Sequence, residues 1–221
     1  MDKKYQTRWY KLLDWFLSTF ISPVNFNALK ALVNHGVYWD LQEEDHDYLR
    51  KVLAKNYYII LIRRKTHLTT LFIGFASWIK TGKWGYWSHA LMNVDDGNIK
   101  NDEDFKLMEA TSAGVHFSSF MHVFDCDAVC LLRPKGFTDE DWVETLDCLL
   151  KQKAKHYDNL FDLANDQYLS CVELVRRALM GDYKYATKFA AFEKMIQAKH
   201  NLVPDMFYEC DDFEKVWEIR R

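Results

Sequence analysis

Glycine and proline are both scarce in this 221-residue sequence, which has 8 glycines and 3 prolines. Long flexible linkers and low-complexity segments are rich in these residues, so neither is predicted here. The sequence also has no apolar run of the roughly 18 residues that a transmembrane helix requires. Hydrophobic residues make up 49% of the chain and aromatic residues 16%. This composition indicates a well-packed globular protein, and we expect one domain with additions at its ends.

An excess of positive charge is absent as well. Lys and Arg number 29 against 32 Asp and Glu, which gives a formal net charge of -3. A general nucleic-acid binder carries a basic surface for its phosphate contacts. No nucleic-acid partner is therefore predicted.

The cysteines lack the pairing of a structural framework. Their number is odd and no two of them form a C-x-x-C pair; the 5 residues are Cys126, Cys130, Cys148, Cys171 and Cys210. Neither a zinc site nor a disulfide framework is expected from this pattern. We predict no metal and no cofactor, and unpaired thiols in a chain of this size indicate a reducing compartment.

An apolar stretch near the N-terminus, Trp9–Phe20, lacks the features of a signal peptide. Lys11 and Asp14 interrupt it and no small-residue cleavage site follows, so we expect a cytoplasmic location. Its apolar residues fall on one face at helical spacing, which predicts an amphipathic helix. Docking on its own domain is favoured over contact with a membrane surface or a partner, because the polar face lacks dense Lys and Arg. Residues 1–55 are predicted to form an N-terminal helical extension.

Strand and helix patterns alternate in the middle of the chain. Apolar and β-branched content predicts strands at Tyr57–Ile62, Trp87–Val94, Phe105–Thr111 and Asp127–Leu132, an apolar helix at Leu68–Lys80, and a turn at Asp95–Asn98. The last three strands are joined by modest loops, which favours an antiparallel meander. We predict an α+β fold in which an antiparallel sheet packs against a cysteine-bearing helix. Residues 56–182 form the predicted core, and residues 183–221 a C-terminal helical extension that packs on it.

A capping sequence precedes the cysteine helix. Ser170 and Glu173 have the spacing of a capping box, which places Cys171 at the first helical position. The N–H groups and the helix dipole at that position favour a thiolate and can hold an oxyanion. A buried, inert cysteine fits the same pattern, since free cysteines are usually buried. A nucleophilic role therefore requires a base.

His89 is the predicted base. It lies in a strand-like segment, so its imidazole can project from a rigid sheet toward a helix terminus. Alternation places His89 with Trp87 and Leu91 on one face of its strand, and Glu109 with Leu107 on one face of the next. If these faces coincide, Glu109 can orient the imidazole. A packed histidine and an edge carboxylate are the alternative interpretations.

Taken together, these motifs resemble a known family. The order of Ser88-His89-Ala90, Glu109 to Val115, His156-Tyr157-Asp158 and Ser170 to Val175 is similar to the circularly permuted branch of the NlpC-type papain-like cysteine hydrolases, particularly its YiiX-like members. In that branch the histidine strand precedes the cysteine helix. The resemblance covers roughly residues 57 to 180. It implies a permuted papain-like fold.

The resemblance also implies roles for individual residues. Cys171 is the implied nucleophile, His89 the general base and acid, and Glu109 the residue that orients the imidazole. Tyr157 is implied to line the substrate site. We add Ser170 and Trp87 as predicted substrate-binding residues, although the aromatic cluster that includes Trp87 fits core packing as well.

The implied reaction is acyl transfer on a peptide or amide substrate through a thioester on Cys171. Cell-wall peptides are the best-known substrates of the wider family, and a chain without an export signal would reach them through lysis or in a phage particle. One alternative is a lipid-acting acyltransferase or thioesterase at a membrane surface, because lecithin retinol acyltransferase shares the permuted arrangement. Another is a non-catalytic binding or virion structural protein that keeps the fold. The sequence predicts no oligomeric state.

Overall fold

The structure, a computed structural model, describes residues 41–64, 84–94, 99, 101–158, 167–181, 188–199 and 202–221. The strands in these ranges are β1 (Ile59–Arg63), β2 (His89–Asn93), β3 (Leu107–Thr111), β4 (Gly114–Ser118), β5 (Ala128–Pro134), β6 (His156–Tyr157), β7 (Tyr168–Leu169) and β8 (Phe213–Arg220). The α-helices are α1 (Glu43–Leu53), α2 (Phe120–Phe124), α3 (Asp139–Leu150), α4 (Cys171–Met180), α5 (Ala190–Lys199) and α6 (Asp205–Glu209). A short 3-10 helix covers Asp102–Asp104. The protein is therefore α+β, as predicted.

The main sheet has 6 antiparallel strands in the order β4-β3-β2-β1-β5-β8. Strands β1 to β4 form a meander, each paired with the next. Strand β5 pairs with β1, so our prediction that its segment continues the meander after Phe105–Thr111 is wrong. The physical reason is that β4, a strand the sequence analysis missed, occupies the position beside β3.

Helices cover both faces of this sheet. Ile59 and Leu61 of β1 belong to a core shared with α3, α4, α5 and α6, whereas Ile60 and Ile62 belong to a second core that includes side chains of α1 and α2. Burial on both sides explains why β1 reads as an unbroken apolar run rather than an alternating one. The cysteine-bearing helix α4 packs on β2 and β3, which is the predicted arrangement of helix and sheet.

The C-terminal segment is only partly helical. Helix α5 lies within the predicted C-terminal helical extension. The sequence analysis did not predict β8, which pairs with β5 and forms an edge of the sheet. Its sequence, FEKVWEIR, carries charged side chains of the kind that protect edge strands. Because of these charged residues, the segment lacks the apolar pattern by which a strand is predicted from sequence.

Several other predictions fall outside the described residues. They are the Trp9–Phe20 helix, the Leu68–Lys80 helix and the Asp95–Asn98 turn. The described end of the predicted N-terminal extension is helical, and α1 begins where the Gln42 N–H donates to Asp45 Oδ2 at 2.8 Å. Among the described helices, none is long and apolar enough to cross a membrane.

Gly114 allows the hairpin of β3 and β4 to pack closely on a later part of the chain. It follows a tight turn after Thr111 and has a φ of +91°. The next residue, Val115, donates its N–H to the Lys155 carbonyl at 2.8 Å. A Cβ on Gly114 would lie 2.6 Å from that same oxygen. Backbone conformation and close approach both require glycine here.

Replacing Gly114 with alanine is expected to lower the free energy of unfolding by about 3 kcal/mol. The left-handed backbone costs an L residue about 1–2 kcal/mol, and the overlap with the Lys155 oxygen adds to it. Gly136→Ala is the matched control, because Gly136 has a φ of +71° but nothing within 4 Å of an added Cβ. Urea unfolding of both variants separates the cost of the left-handed backbone from the cost of the overlap with the Lys155 oxygen. Equal losses of stability would contradict the close contact.

Candidate active site

Helix α4 begins where the capping box predicts. The Ser170 N–H donates to Glu173 Oε2 at 2.7 Å, and the Glu173 N–H donates to Ser170 Oγ at 3.4 Å. Cys171 is the first helical residue. The first N–H groups of a helix have no acceptor within the helix, so the backbone at Cys171 and Val172 can donate to a negatively charged oxygen. The helix start therefore combines a thiol with donors for an oxyanion.

The His89 imidazole joins this cysteine to a carboxylate. His89 Nε2 lies 2.7 Å from Glu109 Oε2. A carboxylate only accepts hydrogen bonds, so Nε2 carries the hydrogen of this contact. The Cys171 side chain is close enough to the ring to raise its pKa, and Nδ1 is the ring nitrogen that is not engaged with Glu109. The structure therefore joins His89 and Glu109 by a hydrogen bond and makes Cys171 an electrostatic neighbour of the ring.

The neighbouring groups shift the pKa values of His89 and Glu109 so that both residues are charged. Burial lowers the pKa of His89, but the negative charge of ionised Cys171 and the hydrogen bond with Glu109 outweigh it and raise the pKa to about 9. Burial raises the pKa of Glu109, but the hydrogen bond and charge of His89 and a hydrogen bond from Ser118 lower it to about 2. At neutral pH the His89 ring is therefore an imidazolium that is hydrogen-bonded to a buried carboxylate anion.

The sheet opens beside this group. Strands β2 and β3 are described throughout, yet they are paired only at Met92 with Met108 and at Asn93 with Leu107. On its other side, β2 stays paired with β1 as far as His89. Because α4 packs on both β2 and β3, its cysteine can meet side chains of both strands where they part.

Tyr157 is brought to the start of α4 by a short parallel pair. Strands β6 and β7 place Tyr157 opposite Leu169, which directly precedes the N-cap Ser170. Burial raises the pKa of Tyr157 well above its usual value, and the negative charge of ionised Cys171 raises it further. Its phenol therefore keeps its proton at neutral pH, and the role of Tyr157 at a substrate site stays a prediction.

Ser170 has a structural role instead of the predicted substrate contact. It is 0% exposed, and both its N–H and its hydroxyl take part in the capping box. Its side chain is not accessible to a substrate in this structure.

Trp87 also lies in the core. It is 1% exposed and its ring packs against Tyr86 and Tyr208. It shares a core with Ala90, whereas Leu91 belongs to the opposite core. The predicted common face of Trp87 and Leu91 is therefore wrong, because the regular alternation of β2 starts only after Trp87. The structure does not place its ring as a substrate contact.

Access to the sulfur is narrow. Cys171 is 2% exposed, and the side chain of His89 is 14% exposed. A substrate carbonyl can reach the sulfur only if neighbouring side chains move. Within the described ranges, no group of three or more His, Cys, Asp or Glu side chains is arranged to hold a metal ion.

Three other cysteines, Cys126, Cys130 and Cys210, are also buried. Burial raises the pKa of Cys130 to about 12 and that of Cys210 to about 11, and it also raises the pKa of Cys126. Their thiols stay protonated at neutral pH and are poor nucleophiles. Cys171 differs from them by its contact with an imidazole.

The sequence analysis missed three polar residues around Glu109. Ser118 Oγ donates to Glu109 Oε1. His116 Nε2 lies 3.9 Å from the same oxygen, and His122 Nε2 lies 4.0 Å from it. The missed signal is the alternation within Gly114–Ser118, which puts His116 and Ser118 on one face. A hairpin at this place pairs His116 with Glu109.

Comparisons with known proteins add a fold-level likeness. No protein-family model matches the chain, and no curated protein matches it. The structure is similar to a crystal structure of the metalloprotein yiiX from Escherichia coli O157:H7, described as DUF1105. The TM-score is 0.48 and the identity 16%, over 74% of this chain and 97% of that one. A likeness of this size transfers neither an activity nor the role of a residue.

Proposed function

We propose that the protein is a cysteine hydrolase that transfers an acyl group first to Cys171 and then to water. The observation that carries this proposal is the His89 imidazole, which is hydrogen-bonded to the buried Glu109 carboxylate and whose pKa is raised by the neighbouring Cys171. Acyl transfer through a thioester needs a nucleophile, a base and a group that orients the base. Each of these parts has a residue in this group.

The first half of the reaction forms the thioester. The Cys171 sulfur attacks the substrate carbonyl carbon, and the carbonyl π electrons move to the oxygen. The N–H groups of Cys171 and Val172 donate to that oxygen. When the bond from carbon to the leaving nitrogen breaks, the nitrogen takes the proton that His89 Nδ1 received from the thiol. The amine product then leaves.

The second half releases the acid. Water attacks the thioester carbon while His89 Nδ1 takes its proton, and the carbon–sulfur bond then breaks. The sulfur recovers its proton or remains paired with the imidazolium. Glu109 stays ionised throughout, because its pKa of about 2 is too low for it to take the imidazolium proton. Its task is to hold Nε2 and so keep Nδ1 toward the sulfur.

The order of the elements supports a permuted papain-like, NlpC-type fold for this hydrolase. Strand β2, which carries the base, precedes helix α4, which carries the nucleophile. The sequence motifs around these elements resemble the permuted branch of that family. From this resemblance we infer an amidase or peptidase, and cell-wall peptides are the first substrates to test.

A non-catalytic binding protein that keeps the fold is the second candidate. The 2% exposure of Cys171 favours it, because an enzyme has to bring a carbonyl carbon into contact with the sulfur. The lipid-acting alternative depends on the Trp9–Phe20 helix, which lies outside the described residues. No observation on the described residues favours that alternative.

Acetylation by p-nitrophenyl acetate tests the hydrolase proposal against the binding protein. We expect a burst of nitrophenolate, an acetyl group on Cys171 in peptide mass maps, and its loss as the thioester hydrolyses. Cys148, a partly exposed cysteine, reports the direct reaction of the reagent with a thiol outside this group. The burst should be absent in Cys171→Ala. Acetylation of Cys148 without any acetyl group on Cys171 would rule out the hydrolase.

A further inference from the structure

A serine hydroxyl donates a second hydrogen bond to the buried Glu109 carboxylate. Ser118 Oγ donates to Glu109 Oε1, while Glu109 Oε2 accepts from His89. Ser118 is 9% exposed and Glu109 is 0% exposed, so water does not readily replace the hydroxyl. We propose that Ser118 is a positioning residue that fixes the Glu109 carboxylate and, through it, the ring of His89. This inference rests on the hydrolase function proposed above.

The carboxylate needs two contacts to be fixed. The terminal torsion of a glutamate side chain is broad, so a single bond to His89 leaves the carboxylate plane free to turn. Ser118 lies on β4 and His89 on β2, the two neighbours of β3 in the sheet. Donors from both neighbouring strands hold the two oxygens of Glu109 separately. With Oε1 held by Ser118, Oε2 is kept facing His89 Nε2.

The Ser118 hydroxyl has a second polar neighbour besides Glu109. His116 Nε2 lies 3.2 Å from Ser118 Oγ. The carboxylate anion is the stronger acceptor, so the single hydroxyl hydrogen of Ser118 is donated to Glu109. The His116 ring is itself positioned by the Gly114 carbonyl, which lies 2.9 Å from Nδ1.

Loss of the hydroxyl has a defined effect on the imidazole. Without Ser118 Oγ, Glu109 Oε2 faces His89 Nε2 for only part of the time and stabilises the imidazolium less. The pKa of His89, which is about 9 in the intact group, should then fall. A serine that only supported the strand would leave it unchanged.

The titration of His89 in Ser118→Ala tests the inference. Nuclear magnetic resonance of histidine-labelled protein follows the ring, and His89→Gln identifies its signals. We expect a midpoint lower by about half a pH unit or more in Ser118→Ala, and acetylation of Cys171 by p-nitrophenyl acetate about tenfold slower. Ser118→Thr keeps a hydroxyl and should restore both values. Ser118→Cys, nearly isosteric but a weak donor, gives the same test if Ser118→Ala does not fold.

Ser88→Ala is the matched control. Ser88 is also a buried serine, beside His89 in the sequence, but its hydroxyl donates to the Ile62 carbonyl at 3.2 Å. We expect the His89 midpoint to stay at the wild-type value in this variant. An unchanged midpoint in both Ser118→Ala and Ser118→Cys would overturn the positioning role, and so would a higher one, which would mean that the hydroxyl competes with His89. A lower midpoint in a protein that never acetylates Cys171 would instead overturn the hydrolase proposal alone.

Discussion

Cys171 in a His89→Ala variant is expected to react with iodoacetamide at pH 6 about 100-fold more slowly than in the wild-type protein. The thiolate is the form that reacts. An isolated thiol with the reference pKa of about 8.5 is roughly 0.3% ionised at pH 6. The pKa of His89, about 9, keeps the ring protonated at that pH, and the proposed mechanism uses this positive charge to hold a thiolate. Removing the ring removes the charge.

The rate at each cysteine is measured by quenching the reaction and mapping the labelled peptides. Cys148 provides an internal reference, because it is partly exposed and should react equally in both proteins. His122→Ala is the control for loss of a nearby histidine, since its ring is 66% exposed and lies 4.0 Å from Glu109. We expect less than a threefold change in this variant. If Cys171 reacts as slowly as Cys148 in the wild-type protein, either no thiolate forms or no reagent reaches it, and the proposed mechanism fails in both cases.

Replacing Glu109 with alanine is expected to lower the free energy of unfolding by about 3 kcal/mol between pH 4.5 and 6.5. The variant leaves the buried His89 ring and the Ser118 hydroxyl without their common acceptor. The fall in the pKa of Glu109 from 4.5 to about 2 corresponds to a stabilisation of about 3 kcal/mol. Breaking a buried ionic contact by removing one partner costs a similar amount.

The pH dependence of this loss follows from the two shifted groups. The pKa of Glu109 is lowered on folding, so its contribution is present above pH 4.5 and is lost as the pH falls toward 2. The pKa of His89 is raised, so its contribution is present below pH 6.5 and is lost as the pH rises through 9. Urea unfolding of the wild type and the variant should therefore differ most between pH 4.5 and 6.5. Glu103→Ala, at an exposed site, should show no such profile, and a pH-independent difference for Glu109→Ala would contradict the ion pair.

The core of the candidate site could be predicted because it depends on local rules. The capping box of Ser170 and Glu173 places Cys171 at the start of α4 without any knowledge of the rest of the fold. The contact between His89 and Glu109 needs only two neighbouring strands and a period of two. Both predictions are confirmed at the level of geometry, while the roles of the residues stay predictions.

The remaining parts depend on tertiary contacts that a single sequence does not show. Strand β4 was missed because its alternation of apolar and polar residues covers only 5 positions, so Ser118 was missed with it. Strand β8 is stabilised by pairing with β5 rather than by its own composition. The burial of Trp87 and Ser170 follows from how the helices pack on the sheet, and the sequence alone left a substrate contact open for both.

The proposed nucleophile and its proposed base come from a helix and a strand that are distant in sequence and meet only after α4 has packed on the sheet. In an unfolded chain no imidazolium would stand beside Cys171, so the proposed reactivity would appear only with folding. Separation of α4 from β2 would remove it again.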